Sequence, residues 1–88
     1  LGKRLVTKSG EEVSLTGAEY GVLECLIRNI GELVDKDTLS MAALGRPLMA
    51  YDRSIDMHVR NLRKKLGERH GHAEWIKTVR SRGYMLVP

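Results

Sequence analysis

The sequence has one cysteine, Cys25, among 88 residues, so no disulfide can form within the chain. It has no run of about 18 apolar residues, which argues against a transmembrane helix. Its first ten residues, LGKRLVTKSG, lack the apolar stretch of a secretory signal. These absences favour a reducing, cytoplasmic setting. Signatures of catalysis are missing as well. There is no carboxylate pair, no nucleophile–histidine–acid arrangement and no glycine-rich phosphate cradle, so no enzyme is expected. Cys25 falls near the leucines of a helical stripe and reads as a small core or boundary residue. His70 and His72 form an H-x-H, but no Cys/His spacing supplies the remaining ligands of a metal site. They read as solvated loop histidines, and neither a metal nor a cofactor is expected. No internal repeat and no low-complexity segment occurs.

What is present fits one small domain over residues 1–88. Hydrophobic residues make up 42% and charged residues 30%, enough apolar material for one core in a chain too short for two. The net charge of +4 conceals an asymmetry. Residues 1–52 hold six Lys/Arg and eight Asp/Glu, net −2, whereas residues 53–88 hold nine and three, net +6. A basic C-terminal half implies an anionic partner, a nucleic acid or a membrane surface.

KRLVTKSGEEVSL reads as a hairpin, with strands near 3–7 and 12–15 and a turn at Ser9-Gly10. Thr16 and Glu19 form a T-x-x-E capping box that opens the first helix, and Leu15 stands where it would staple onto Tyr20. Leu23, Leu26, Ile27 and Ile30 recur at helical spacing and predict its buried stripe. Gly31 suits a left-handed stop. Asp35 is the expected cap of a second, short helix, with Asp37 in its first turn and Leu39, Ala42 and Ala43 on a narrow apolar face that admits a close neighbour. Gly45 and Pro47 end it. A third helix follows, capped by Asp52 or Ser54 and stopped at Gly67. WIKTV and YMLVP read as strands around the turn RSRG, where Gly83 is expected to supply positive φ, with Trp75 packed across them. Two hairpins on a three-helix core is the economical arrangement.

The third helix, DRSIDMHVRNLRKKL, is lopsided. With Ile55 set at 0°, Val59 falls at about 40°, Leu62 at about 340° and Leu66 at about 20°. The opposite side carries Arg53, Met57, Arg60, Asn61 and Lys64, flanked by His58, Arg63 and Lys65. Asp56 is expected to orient Arg53 or Arg60. A solvated surface would explain one charged face, but these charges are nearly all of one sign and lack the Glu-to-Lys spacing of a merely soluble helix. The hairpin tip TVRSRGY adds Arg80 and Arg82. An α-helix fits the major groove of a duplex and a thin arginine-bearing loop the minor groove. The leading function class is therefore binding of double-stranded DNA. The alternative is a protein-interaction module of the same fold without DNA binding.

LTGAEYGVLECL, DRSIDMHVRNLRKKL and IKTVRSRGYMLV together resemble the effector domains of OmpR/PhoB-type response regulators, over about residues 3–87. The resemblance implies an α+β fold, a winged helix-turn-helix. Its three-helix core would be flanked by an N-terminal antiparallel sheet, partial here, and a C-terminal β-hairpin wing. It places a recognition helix over 53–66 in the major groove and the wing over 78–84 at the adjacent minor groove. By position it assigns DNA contacts to Arg53, Ser54, Met57, His58, Arg60, Asn61 and Arg63, and wing or flanking phosphate contacts to Thr78, Arg80, Arg82 and Tyr84. Lys64 joins them from the helix geometry. It also implies a receiver domain and its sensor histidine kinase, homodimers on direct repeats, and RNA polymerase contact through loop 45–51. Only two strands fit before Thr16 where the family carries four, so the chain is expected to begin part-way through that sheet, without the receiver domain. Ser81 stands where many members have Gly, and Asn61 where many are basic.

Overall fold

The computed structural model describes residues 4–8, 11–67 and 75–88, with side chains described from residue 13 onward. His70 and His72, and the expected turn at Ser9-Gly10, lie outside the described residues. Strands β1 (Arg4–Lys8) and β2 (Glu11–Leu15) pair antiparallel, with Val6 opposite Val13. Helix α1 (Gly17–Arg28) follows, then a two-residue strand β3 (Val34–Asp35), helix α2 (Lys36–Leu44), helix α3 (Ser54–Leu66), and strands β4 (Ile76–Val79) and β5 (Gly83–Leu86). The second sheet runs β3-β5-β4, antiparallel throughout, so β5 is central.

The capping box forms as expected: Glu19 N–H donates to Thr16 Oγ1 at 3.2 Å, and Thr16 N–H to Glu19 Oε1 at 3.1 Å. Leu15 is buried and Tyr20 packs against the same core. Asp35 caps α2 by accepting from Thr38 N–H at 2.7 Å. Gly45 caps the C-terminus of α2 at φ 72°, whereas α1 ends at Arg28 with Asn29 as its cap, and Gly31, at φ 82°, lies in the turn two residues further on.

The α1 stripe differs from expectation. Val22, Leu23 and Leu26 are buried, but Ile27 is 51% and Ile30 52% exposed. The buried face is centred between Glu19, Val22, Leu23 and Leu26, which places Ile27 about 90° away from its centre. Ile30 lies beyond Arg28, the last residue of the helix. On α2, Leu39 is buried and Ala43 packs on the core, but Ala42 is exposed. The close neighbour of Ala43 is Gly21: a Cβ there would stand 2.9 Å from Ala43 Cα, so α1 and α2 cross at backbone distance.

Helix α3 also starts differently. Its N-cap is Arg53, with no side-chain cap bond. Asp52 instead accepts from Ser54 N–H at 2.9 Å with one oxygen and from Arg46 Nη1 at 2.6 Å with the other. Arg46 draws that carboxylate into the loop.

At the wing turn, Ser81 carries the positive φ of 63°, not Gly83. Gly83 is required for another reason. A Cβ on it would collide with the Val34 carbonyl and stand 2.8 Å from Asp35 Cα, because β3 lies directly against it. Strand β3 was invisible in the sequence, being two residues long and defined by its partner.

The core joins Ile55, Val59, Leu62 and Leu66 of α3 to Val22, Leu23 and Leu26 of α1, Leu39 of α2, and Ile76 and Leu86 of the sheet. Trp75 packs against its edge. Burial therefore predicts unequal costs for adjacent residues of α1. Leu26→Ala is expected to lower unfolding free energy by about 2–5 kcal/mol, through lost transfer energy and a cavity. Ile27→Ala should change it by about 0.5 kcal/mol or less. Urea titrations of the two variants check this, and equal costs would contradict the assigned face.

Candidate nucleic-acid interface

Burying one line of α3 leaves the other side outward. Arg53, Met57, Arg60 and Lys64 are exposed there, and Asn61 is half-buried at its margin. Arg53, Asp56, Met57 and Arg60 line an open depression on this face. At the wing, Arg80 and Arg82 are exposed at either side of Ser81.

The ion pairs divide the cations into two sets. Arg28 pairs with Glu24, Lys36 with Asp56, Arg46 with Asp52 and Lys65 with Glu19. Among the described residues, Arg53, Arg60, Arg63, Lys64, Lys77, Arg80 and Arg82 have no carboxylate ion pair, Arg63 being bonded instead to Ile76 O and Thr78 Oγ1. The uncompensated charge is thus concentrated on α3 and the wing, as an anion-binding face requires.

Other expected site residues are engaged internally. Arg63 turns toward the sheet, donating from Nη2 to Ile76 O at 2.8 Å and to Thr78 Oγ1 at 2.6 Å. Its guanidinium stands 5.7 Å from the centroid of the Tyr84 ring. Tyr84 is only 5% exposed, and its hydroxyl donates to Asp56 Oδ1. Burial first, then the Asp56 carboxylate, pushes the Tyr84 hydroxyl pKa up to about 12. Asp56 does not orient Arg53 or Arg60 through a hydrogen bond as expected. It receives Tyr84 and Lys36, the latter 3.0 Å away. Ser54 Oγ accepts from Arg46 Nη2 at 3.3 Å. His58 is half-buried, and its Nδ1 has no hydrogen-bond partner among the described residues. Lys36 was missed in the sequence because the 20 residues separating it from Asp56 follow no helical or strand period.

The loop between α2 and α3 is braced from inside. Ser40, fully buried, donates to Arg46 O at 2.7 Å, and Leu48 N–H donates to Asp37 Oδ1 at 2.8 Å. The brace presents Met49, 64% exposed, and Tyr51, fully exposed at φ 58°.

A helix-loop-helix carrying an unpaired basic face, beside a β-hairpin with arginines at its tip, defines a winged helix-turn-helix domain. The family described as "Transcriptional regulatory protein, C terminal" matches residues 10–86, and the chain belongs to it. It is 42% identical over 86 residues to the transcriptional regulatory protein CpxR of Klebsiella pneumoniae, covering 98% of this chain and 37% of that protein. CpxR of Escherichia coli K12 is 41% identical over the same shares. The chain therefore spans little more than a third of the length of these relatives. The crystal structure of the DNA-binding domain of E. coli CpxR superposes with a TM-score of 0.87 at 40% identity, over 94% of this chain and 81% of that one. The K. pneumoniae RstA DNA-binding domain in complex with the RstA box gives 0.84 at 36% identity, over 97% and 84%. The family is that of OmpR/PhoB-type regulators.

Four carboxylates are held below their usual range. At Glu19, burial works upward but is outweighed by Lys65 and the Thr16 backbone. At Asp56, burial is likewise outweighed by Tyr84 and Lys36. Asp35 is lowered by Thr38 N–H and Asp52 by Arg46. Each binds its proton less tightly folded than unfolded, so its contribution is present above the unfolded pKa and lost as pH falls through the folded one. The melting midpoint is expected to drop between about pH 5 and pH 2, and less steeply in Glu19→Gln. A midpoint flat across that window would contradict the four assignments.

Proposed function

We propose that this chain binds double-stranded DNA in a sequence-specific way and acts as the effector half of a response regulator. The observation that carries the reading is the unpaired basic face of α3, held outward by its buried stripe and continued by Arg80 and Arg82. The RstA box bound to a structural neighbour supports it. In this reading α3 enters the major groove, where Arg53, Ser54, Met57, His58, Arg60, Asn61 and Lys64 meet bases and phosphates. Asn61 is suited to adenine, whose N6 and N7 an amide can pair together. Arg80 and Arg82 approach the adjacent minor groove, Arg82 favouring narrow A·T-rich flanks. Thr78, exposed on β4, is available to a flanking phosphate, and Arg63 and Tyr84 contribute from behind the contact surface.

The longer relatives support a wider reading, in which a receiver domain and its sensor histidine kinase control binding and two copies occupy direct repeats in the cytoplasm. The braced display of Met49 and Tyr51 suits loop 45–51 to RNA polymerase.

Two measurements test the DNA reading. With about 4–6 phosphates neutralised, log K against log salt is expected to slope at about −4 to −5. A slope near zero removes the claim. Asn61→Ala should cost about 1–3 kcal/mol on a preferred site selected from random duplexes and much less on unselected DNA. Equal losses on both would show that Asn61 reads no base.

A further inference from the structure

Side chains at the margin of the basic face connect the wing to the helix through a continuous chain of contacts. Lys36, at the start of α2, holds the Asp56 carboxylate from one side, with Nζ 3.0 Å from Oδ1 and 3.3 Å from Oδ2. The Tyr84 hydroxyl holds it from the other, reaching from β5 to α3. Arg63, two helical turns along α3, bonds β4 at Ile76 O and Thr78 Oγ1 and lies over the Tyr84 ring. Beside Tyr84, Gly83 is locked against β3 at backbone distance, so β5 cannot slide along its neighbour. A two-stranded wing would otherwise be free to tilt about the chain that joins it to α3, since an isolated hairpin is marginal in water.

We propose that Lys36, Asp56, Tyr84 and Arg63 are positioning residues that hold the wing at a fixed offset from the recognition helix, so that both engage one duplex together. The inference rests on the DNA-binding reading above. Its physical basis is preorganisation: a wing already placed gives up little freedom when its arginines meet the backbone, whereas a tilting wing must first be ordered. Tyr84 is the informative member. Buried and bonded to Asp56, its hydroxyl serves the offset and contacts no phosphate.

A double-mutant cycle separates positioning from direct contact and from general stability. Binding to a duplex selected from random sequence by the wild-type chain is measured for Tyr84→Phe, alone and combined with Arg80→Ala/Arg82→Ala. Lys36→Met is run in parallel, because it leaves the core untouched if Tyr84→Phe melts early. Each positioning variant is expected to weaken wild-type binding about tenfold. Once the wing arginines are gone, the same variant should cost about twofold or less, because no wing contact is left to position. Equal losses in both backgrounds, or no loss in a folded Tyr84→Phe or Lys36→Met chain, would overturn the inference. If Arg80→Ala/Arg82→Ala leaves wild-type binding unchanged, the wing contact itself is wrong and the inference falls with it. Absence of any wild-type binding at low salt overturns the DNA reading first.

Discussion

Burial of Ile55, Val59, Leu62 and Leu66 along one line of α3 fixes where every charge on that helix points. Each such side chain contributes about 1.5–3 kcal/mol when removed from water, and three of the four are fully buried. Rotating α3 to present another face would expose that line and bury arginines. The basic surface is therefore a consequence of the hydrophobic one. Its partners are equally constrained: α2 lies close enough to α1 for Gly21 to meet the Ala43 backbone, and the loop after α2 is tied by Ser40, Asp37 and Arg46.

Electrostatics then sorts the cations by role. Lys65 is spent on Glu19, whose carboxylate also closes the α1 cap, so one residue joins the start of α1 to the end of α3. Lys36 is tied to Asp56, which lines the depression on the contact face, and Arg46 to Asp52 in the loop before α3. The cations without such partners sit on α3 and in the β4–β5 hairpin, and of these Arg53 feels the nearby Asp56 carboxylate without forming an ion pair with it. The exposed apolar residues Ile27, Ile30 and Leu33 lie elsewhere, on and after the end of α1, so the basic face and this apolar surface belong to different parts of the molecule.

The sequence made the helices, both hairpins and the outward face of α3 legible because those rest on local signals: capping residues, helical spacing and short runs of strand formers. It was less informative where a partner decides. Strand β3 exists because β5 pairs with it. Gly83 is small because β3 lies against it, although its place in a turn suggested a backbone role. Ile27 looked like core until the direction of α2 and α3 set the buried side of α1. Tyr84 and Arg63 have residue types suited to phosphate contact, yet both face inward. Their roles depend on Lys36 and Asp56, which no periodicity connects.

Mapping the amide signals of isotopically labelled protein during titration with duplex DNA tests the account most directly, because it asks which face meets the ligand. The account predicts that the largest shifts fall on residues 53–64 of α3 and 80–82 of the wing, while Ile27, Ile30 and Leu33 stay in place. Shifts concentrated at the end of α1, with α3 and the wing unmoved, would contradict it.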